Sequence, residues 1–355
     1  MSNRVALDLL LRAPDSIILE TELKKRVVGQ DKAIDQIVHT FERQMTGLHR
    51  PRRPLGSMLF LGGTGVGKSL ISEALADVLF GSPDALLRID CAELQESQSV
   101  LKLIGSAPGY IGYSDKEEAM FISQTKLDAH MTEEWPISIL VLDEIEKAHD
   151  NLFRLFLGIL DKSTLALNNG KKIDFSKTLI IMTSNLGAED ISKYVDSKLG
   201  FSPIPRDQDN KVKLSITSKA LKKKFSPEFI NRIDQIINFE NLEPHHYELI
   251  LDIACSAIQK RIFTSTNTHP FSFFLDASAR TYILSKGVSK EYGARELNRI
   301  LDQEVVSKLA SLVLTNQIEV GDEVYISYEN DQLTFNRSST IESQEDGFSD
   351  FCISS

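Results

Sequence analysis

Apolar residues along the chain gather in short runs that are bounded by turn or helix signals. Four runs are almost continuous: MLFL at 58–61, LLRID at 86–90, ISILVL at 137–142 and TLIIMTS at 178–184. Unbroken apolar runs of this length are typical of parallel strands that are buried on both faces. Enough chain for a crossover helix separates each run from the next, and QIINF at 235–239 adds a fifth. The pattern therefore predicts an α/β fold with a parallel sheet of about five strands.

The segments around these runs carry helical or turn signals. From Asp31, apolar residues recur at helical spacing as far as the connector RPRRP at 50–54, which predicts an amphipathic helix. The residues before it, up to about Lys25, predict a short helix that is broken at Pro14. Between the third and fourth runs, TLALNNGKKIDF has an Asn-Gly pair between two extended stretches, which predicts a β-hairpin.

A domain boundary is predicted near residues 242–244, where the strand pattern ends. Beyond it, 245–263 and 294–315 predict helices, with the strand FSFFL between them and EVYISYE after them. The final segment holds six serines and four acidic residues but no Lys or Arg, which predicts a disordered tail. The predicted order is an N-terminal extension (1–25), a large domain (26–242), a small α-rich domain (243–337) and the tail (338–355).

Composition narrows the class of protein. The 355 residues are 42% hydrophobic and 25% charged, which is close to average globular usage and excludes a mainly disordered or fibrous chain. The 40 basic side chains against 50 acidic ones give a formal charge of −10, which disfavours nucleic acid as a partner. Cys91, Cys255 and Cys352 form no CxxC pair, and no apolar stretch is long enough to span a membrane. We therefore expect a reduced, cytoplasmic protein with no membrane contact.

The most specific local motif is GGTGVGKS at 62–69, which fits the pattern G-x-x-x-x-G-K-[ST] between an apolar run and a helical segment. Glycines let backbone N–H groups wrap closely around phosphates at the start of a helix. Lys68 would reach the β- and γ-phosphates of ATP, and Ser69 would ligate Mg²⁺. The alternative is an ordinary glycine-rich turn. The remaining residues of the predicted loop are Gly62, Gly63, Thr64, Gly65, Val66 and Gly67.

Two acidic residues follow the run ISILVL, in the sequence LDEIEKAH. Acids at the end of a buried parallel strand lie at the carboxyl edge of the sheet, beside the phosphate-binding loop. The arrangement resembles a Walker B motif, in which Asp143 would hold the metal and Glu144 would act on the attacking water as a general base. Taken alone, the pair is also compatible with the first turn of a helix, where the dipole favours acids.

Eight sequence blocks occur in order along the chain: VVGQDKAI (27–34), RPLGSMLFLGGTGVGKS (53–69), RIDCAEL (88–94), GSAPGYIGY (105–113), LDEIEKAH (142–149), IIMTSNLG (180–187), FSPEFINRID (225–234) and YGARELNR (292–299). Together they give the chain a resemblance to the Clp-type AAA+ ATPases, specifically to the second ATPase domain of ClpA, ClpB and ClpC. The resemblance implies an AAA+ P-loop NTPase core with a five-stranded parallel sheet and a small α-rich C-terminal lid domain. A start at Met1 leaves no room for a first ATPase ring, so a single-ring form is implied.

The resemblance implies roles for further residues of the site. Asn185 matches sensor 1, which orients water near the γ-phosphate, and Arg295 matches sensor 2, which reaches ATP in its own chain. Arg232 matches the arginine finger, which acts on ATP in the neighbouring subunit. A homo-oligomer, in this family a hexameric ring, is therefore implied. Val27 and Val28 would lie against the adenine. An isolated arginine without this context is more often a solvated surface charge.

Two predicted loops concern the binding of protein substrates and of a possible peptidase partner. Tyr110 and Ile111, in GYIGY, match the first pore loop of the family, which projects into a central channel and grips protein substrates. Leu199, Gly200 and Phe201 resemble the tripeptide by which protease-partnered members dock a ClpP-type peptidase. The alternative for this tripeptide is a helix end with Gly200 in the left-handed conformation and its apolar neighbours closing over the core.

The sequence departs from the family pattern at Gly63, Ser69 and Glu296, where Pro, Thr and Pro are usual. These changes keep the backbone, hydroxyl and helix-start chemistry that the site needs. The resemblance therefore predicts an ATP-driven unfoldase or remodelling chaperone. Alternatives are the ATPase component of a ClpP-type protease, a nucleic-acid-acting AAA+ ATPase and a nucleotide-switched scaffold. The presence of Glu144, Asn185 and Arg232 argues against the scaffold.

Overall fold

A computed structural model of the chain resolves two compact units, Met1–Leu242 and Glu243–Ser355. The residues that the structure describes are 11–48, 50–105, 121–196, 206–265, 270–288 and 293–338.

The first unit is built on a parallel sheet with the strand order β2-β3-β6-β1-β7, and a separate two-stranded hairpin is formed by β4 and β5. The predicted fold class, with its five-stranded parallel sheet, is confirmed. The carboxyl ends of β3, β6 and β1 meet at one edge because these neighbours run parallel. The strands are β1 (Gly56–Leu61), β2 (Leu87–Asp90), β3 (Ser138–Asp143), β4 (Thr164–Ala166), β5 (Lys172–Asp174), β6 (Thr178–Ser184) and β7 (Gln235–Asn238).

Helices cover both faces of this sheet and create two hydrophobic cores. Because successive strand residues point to opposite faces, Leu59 and Leu61 of β1 enter one core, whereas Met58 and Phe60 enter the other. The strands are buried on both faces, which explains why their sequences are continuous apolar runs. The helices are α1 (Pro14–Arg26), α2 (Asp31–Met45), α3 (Lys68–Phe80), α4 (Ser97–Ile104), α5 (Gln124–Asp128), α6 (Asp150–Lys162), α7 (Ala188–Asp196), α8 (Arg206–Lys224) and α9 (Pro227–Ile230).

Residues 11–13 are not helical and residues 1–10 lie outside the described residues, so of the helix predicted up to about Lys25 the structure describes the part that begins at Pro14. Pro14 is the first residue of α1, where its missing N–H is one that no helix satisfies internally and its fixed φ suits the helix. The helix is anchored in the first unit because Leu19 and Leu23 are buried in the core that it shares with α2 and α3.

The second unit combines helices with a three-stranded sheet of order β10-β9-β8. The sequence pattern did not indicate α11 or β10. Strand β10 continues through Ser338, which pairs with Glu323, so the residue predicted to begin the tail belongs to the sheet. Among the described residues, no helix combines the length and apolarity needed to cross a bilayer. The elements are α10 (Pro244–Thr264), β8 (Ser272–Leu275), α11 (Ala277–Gly287), α12 (Ala294–Leu301), α13 (Ser307–Leu314), β9 (Glu323–Glu329) and β10 (Gln332–Ser338).

Candidate active site

The glycine-rich loop joins the carboxyl end of β1 to the first residue of α3, Lys68. Gly65 and Gly67 have φ angles of 73° and 105°, which side chains with a Cβ rarely adopt. A Cβ on Gly62 would lie 2.9 Å from the Cβ of Phe239, so this glycine permits a close approach of two chain segments. A Cβ on Gly63 would meet its nearest neighbour at 3.9 Å, an ordinary contact. The backbone therefore requires glycine at three of these positions but not at Gly63, where the family usually has proline.

The ammonium group of Lys68 is held at the mouth of this loop. Its Nζ donates hydrogen bonds to the carbonyl oxygens of Gly62 and Gly63, at 2.8 and 2.6 Å, and to Oδ1 of Asn185, at 2.7 Å. The side chain is 8% exposed, so the charge is largely removed from water. Three oxygen acceptors match the three N–H donors of a lysine and offset the cost of burying it.

The acidic pair at the end of β3 lies beside the start of α3. Ser69 Oγ donates to Asp143 Oδ1 at 3.2 Å, and Thr183 Oγ1 of β6 donates to the same oxygen at 2.8 Å. The backbone N–H of Glu144 donates in turn to Thr183 Oγ1 at 3.1 Å. Thr183 thus connects the two acids, a role that its position in an apolar run did not indicate.

Asn185 and Glu144 link the two motifs. The amide of Asn185 accepts from Lys68 through Oδ1 and donates to Glu144 Oε1 through Nδ2 at 3.4 Å. Glu144 has a left-handed backbone with φ 53°, and Lys147 pairs with its Oε2 at 2.5 Å. The hydrogen bond to Glu144 raises the pKa of the exposed Lys147. The three predicted residues therefore form one continuous network at the carboxyl edge of the sheet.

Arg88 is a cation near this edge of the sheet, and the sequence analysis predicted no role for it. Its Nη2 pairs with Glu73 Oε1 at 2.6 Å, and its Nε lies 3.6 Å from Asp143 Oδ2. Each oxygen of Asp143 therefore has its own neighbours, with hydroxyl donors at Oδ1 and a guanidinium near Oδ2. This arrangement keeps the carboxylate oriented toward Ser69.

Gln30 is a second residue for which the sequence analysis predicted no role, although it lies in the block VVGQDKAI. Its Nε2 donates to the carbonyl oxygens of Val66 at 3.1 Å and Glu240 at 2.9 Å, and its Oε1 accepts from the N–H of Glu240 at 3.1 Å. The side chain is 4% exposed. Gln30 therefore ties the phosphate-binding loop to the segment that follows β7, 210 residues away.

Arg232 does not join this network in its own chain. It lies on the turn between α9 and β7, and Asp234 in the same turn accepts hydrogen bonds at Oδ2 from the backbone N–H and hydroxyl of Ser57, at 3.0 and 2.8 Å. Ser57 is at the start of β1, whereas the phosphate-binding loop follows its end. At about 3.3 Å per residue the two ends of that strand are more than about 13 Å apart. Arg232 is thus at the amino edge of the sheet.

The other predicted site residues fall in three groups. Val27 is buried within reach of the loop, with its Cγ1 3.9 Å from the position of a Cβ on Gly67, and Val28 is half-buried. Arg295 belongs to α12 of the second unit. The pore-loop pair (Tyr110, Ile111) and the docking tripeptide (Leu199, Gly200, Phe201) lie outside the described residues.

A phosphate-binding loop before a helix, an acidic strand end beside it and an amide from the strand between them define the class of P-loop nucleotide-binding proteins. Residues 53–236 match the family model described as AAA domain (Cdc48 subfamily), and residues 242–326 match that of the C-terminal, D2-small domain of ClpB protein. The chain belongs to the AAA domain family. Its predicted resemblance to the second ATPase domain of the Clp proteins is confirmed.

Similar proteins cover nearly the whole chain. It is 37% identical over 318 residues to chaperone protein ClpB of Rhodopseudomonas palustris, covering 90% of this chain and 34% of that protein. It is 35% identical over 330 residues to the ATP-dependent Clp protease ATP-binding subunit ClpC of Staphylococcus saprophyticus, covering 92% and 38%. A structure of the S. cerevisiae Hsp104:casein complex has a TM-score of 0.76 at 33% identity and covers 92% of this chain and 53% of its own. The chain thus spans about a third of the length of the curated relatives it matches.

We expect Gln30→Leu to lower the free energy of unfolding of the first unit by about 2 to 4 kcal/mol, because three backbone groups, of which the carbonyl of Val66 has a buried hydrogen bond, lose their partner. Urea unfolding followed by the fluorescence of Trp135, the only tryptophan, measures it. Gln44→Leu on α2 is the matched control, since the Oε1 of Gln44 is buried without a hydrogen-bond partner among the described residues. That control should change stability by less than about 1 kcal/mol. Equal effects of the two substitutions would contradict the assignment.

Proposed function

We propose that the protein is an ATP-hydrolysing, ring-forming unfoldase or remodelling chaperone that threads polypeptide through a central pore. The observation that carries the proposal is the network of Lys68, Asn185 and Glu144 at one edge of the sheet, with Arg232 at the other. One edge has the groups that bind and hydrolyse a nucleotide. The other presents a cation to a second subunit.

The phosphate-binding loop supplies the ground-state contacts to ATP. Backbone N–H groups of the loop and the N-terminus of α3 face the phosphates, and Lys68 pairs with their charge. Ser69 Oγ and Asp143 Oδ1 lie 3.2 Å apart, so one cation that prefers hard oxygen ligands fits between them, directly or through water. This donor set suits Mg²⁺. When bound, Mg²⁺ neutralises charge on the β- and γ-phosphates.

Glu144 and Asn185 act on the water that attacks the γ-phosphate. The carboxylate of Glu144 accepts a hydrogen bond from Asn185, which also contacts Lys68. As general base, Glu144 accepts the proton of the attacking water. The amide of Asn185 contacts both Lys68 and Glu144, so it fixes their relative positions and can orient the water between them. Arg295 of the second unit is proposed to approach the phosphates as sensor 2, and Val27 with Val28 to line the adenine site.

Arg232 acts in trans because its own phosphate-binding loop is at the opposite edge of the sheet. A planar guanidinium suits the phosphoryl group in the transition state of its transfer, because the charge of that group is spread over several oxygens. Each subunit therefore completes the site of its neighbour, and a closed ring lets every site receive a finger. A hexamer threading protein substrates past Tyr110 and Ile111 is proposed on the family resemblance. The similarity to the Hsp104:casein complex supports a protein substrate.

A second candidate is the ATPase component of a ClpP-type protease. The similarity to a ClpC protein named as an ATP-binding subunit of Clp protease favours it, together with the tripeptide Leu199, Gly200 and Phe201. Docking by one apolar pair from each subunit of a ring would gain avidity from simultaneous contacts, although each contact alone is weak.

We expect Lys68→Ala to reduce ATP affinity at least about tenfold, whereas Glu144→Gln keeps affinity within about threefold and lowers turnover by about 10²-fold or more. The reason is that one residue contacts ground-state phosphate and the other acts on water. Nucleotide binding and steady-state hydrolysis by the full chain measure the split. Glu133→Gln, the same change on an exposed loop residue, is the control and should leave both unchanged. Loss of binding in both site variants would refute the roles.

Tyr110→Ala should retain basal ATP hydrolysis and lose unfolding of a folded reporter protein, because the aromatic ring is proposed to grip the translocating chain. Tyr110→Phe keeps the ring and should retain unfolding. The two activities are measured on the same preparation. Undiminished unfolding by Tyr110→Ala would remove the pore-loop role.

For the protease candidate, the full chain with a ClpP-type peptidase should degrade a reporter carrying an unfolded tag, and Phe201→Ala should abolish that degradation while leaving ATP hydrolysis intact. Thermal unfolding of the same variant separates docking from packing. Absence of a complex, or a variant that is less stable but degrades normally, would leave the remodelling chaperone without a peptidase partner.

A further inference from the structure

The turn that carries Arg232 is rigidly anchored on both sides. Ser226 caps α9, and Phe229 is fully buried against Phe153 of α6, with ring centroids 5.3 Å apart. After the turn, the hydrogen bonds between Asp234 and Ser57 join it to β1. The backbone position of Arg232 is therefore fixed relative to α6, and what remains to be set is the direction of its long side chain.

Asp161, in the last turn of α6, sets that direction. Its Oδ1 lies 2.6 Å from Nε of Arg232. Arg53 is a second cation nearby, with Nη2 3.9 Å from the same oxygen. An acid near the carboxyl end of a helix is opposed by the helix dipole, so Asp161 depends on these cations for compensation. The position of Asp161 in the last turn does not stabilise the helix, but it places the carboxylate where it pairs with Arg232.

The ion pair restrains Arg232 without satisfying its hydrogen-bonding capacity. Nε of Arg232 is buried, and no acceptor among the described residues receives a hydrogen bond from it, because its N–H is not aligned with Asp161. Asp161 approaches through Nε rather than across the terminal nitrogens, which form the fork that grips phosphate oxygens. A guanidinium held in this way is oriented and still able to donate to an external anion.

We propose that Asp161 is a positioning residue that orients the Arg232 finger toward the ATP of the neighbouring subunit. The inference rests on the proposed function, in which Arg232 acts in trans. An arginine has several rotatable bonds, and fixing them before the subunits meet removes an entropic cost from the catalytic step. The carboxylate contacts neither substrate nor the reacting atoms, so its effect must pass through Arg232.

The test uses rings mixed from two inactive forms of the full chain. The donor carries Glu144→Gln, so it hydrolyses nothing but has an intact finger. The acceptor carries Arg232→Ala, so its site is complete except for the finger that it receives. Mixing should restore ATP hydrolysis, because donor fingers enter acceptor sites. Asp161→Asn, which removes the charge and keeps the shape, is then added either to the donor or to the acceptor.

In the donor, Asp161→Asn should lower the restored turnover about three- to tenfold, with the half-saturating ATP concentration unchanged, since a half-buried ion pair that still has access to water contributes modestly. In the acceptor it should have no effect, because that subunit has no finger to orient. Asp161→Glu keeps the charge and should retain most of the rescue in the donor. Asp150→Asn, the same change at the other end of α6, is the matched control and should leave the rescue intact.

The outcomes separate the two hypotheses. A donor effect without an acceptor effect supports the positioning role. No effect in the donor, equal effects in both placements, or failure of the Asp161→Asn donor to enter rings would overturn it and leave the trans finger standing. If the unmodified donor and acceptor fail to restore hydrolysis when mixed, the trans finger itself is wrong, and the role of Asp161 is overturned with it.

Discussion

The hydrogen-bonded chain from Lys68 through Asn185 to Glu144 is the interaction on which the site depends. Its members follow three different strands, and they meet because β6 lies between β1 and β3 with all three parallel. Parallel strands place their carboxyl ends at one edge, so a loop after one strand, an amide after the next and an acid after the third become neighbours. No local sequence preference could assemble them. The strand order does.

Electrostatics explains why this arrangement needs so many partners. Lys68 is 8% exposed, so its ammonium would be costly to bury without acceptors, and it has three, two of which are carbonyl oxygens of its own loop. Those carbonyls belong to a loop that is itself held by Gln30 and by the close contact of Gly62 with Phe239. The charge and the backbone that surrounds it therefore stabilise each other, and the loop keeps its shape around the position proposed for the phosphates.

Much of the fold was predictable because buried parallel strands produce continuous apolar runs, and the loop motif identified the strand that carries it. The residues of the site that sequence analysis did not predict have in common that their partners lie far away along the chain. Gln30, Thr183 and Arg88 act through partners that are distant in sequence, such as Glu240, 210 residues from Gln30. Periodicity gives no information about such pairs. Pro14 shows the same limit of local patterns, because a proline that begins a helix and one that interrupts it look the same when the preceding residues also suggest a helix.

Strand β7 connects the two edges of the sheet and fixes their separation. The turn before it holds Arg232 and is bonded to Ser57 at the start of β1, whereas the residues after it contact the phosphate-binding loop through Phe239 and Gln30. Both ends are paired along β1 in one register, Met58 with Gln235 through Leu61 with Asn238. Arg232 and the phosphate-binding loop of the same chain therefore stand at a set distance along one short strand. That spacing separates Arg232 from the phosphate-binding loop of its own chain, which is why the role proposed for Arg232 requires a neighbouring subunit.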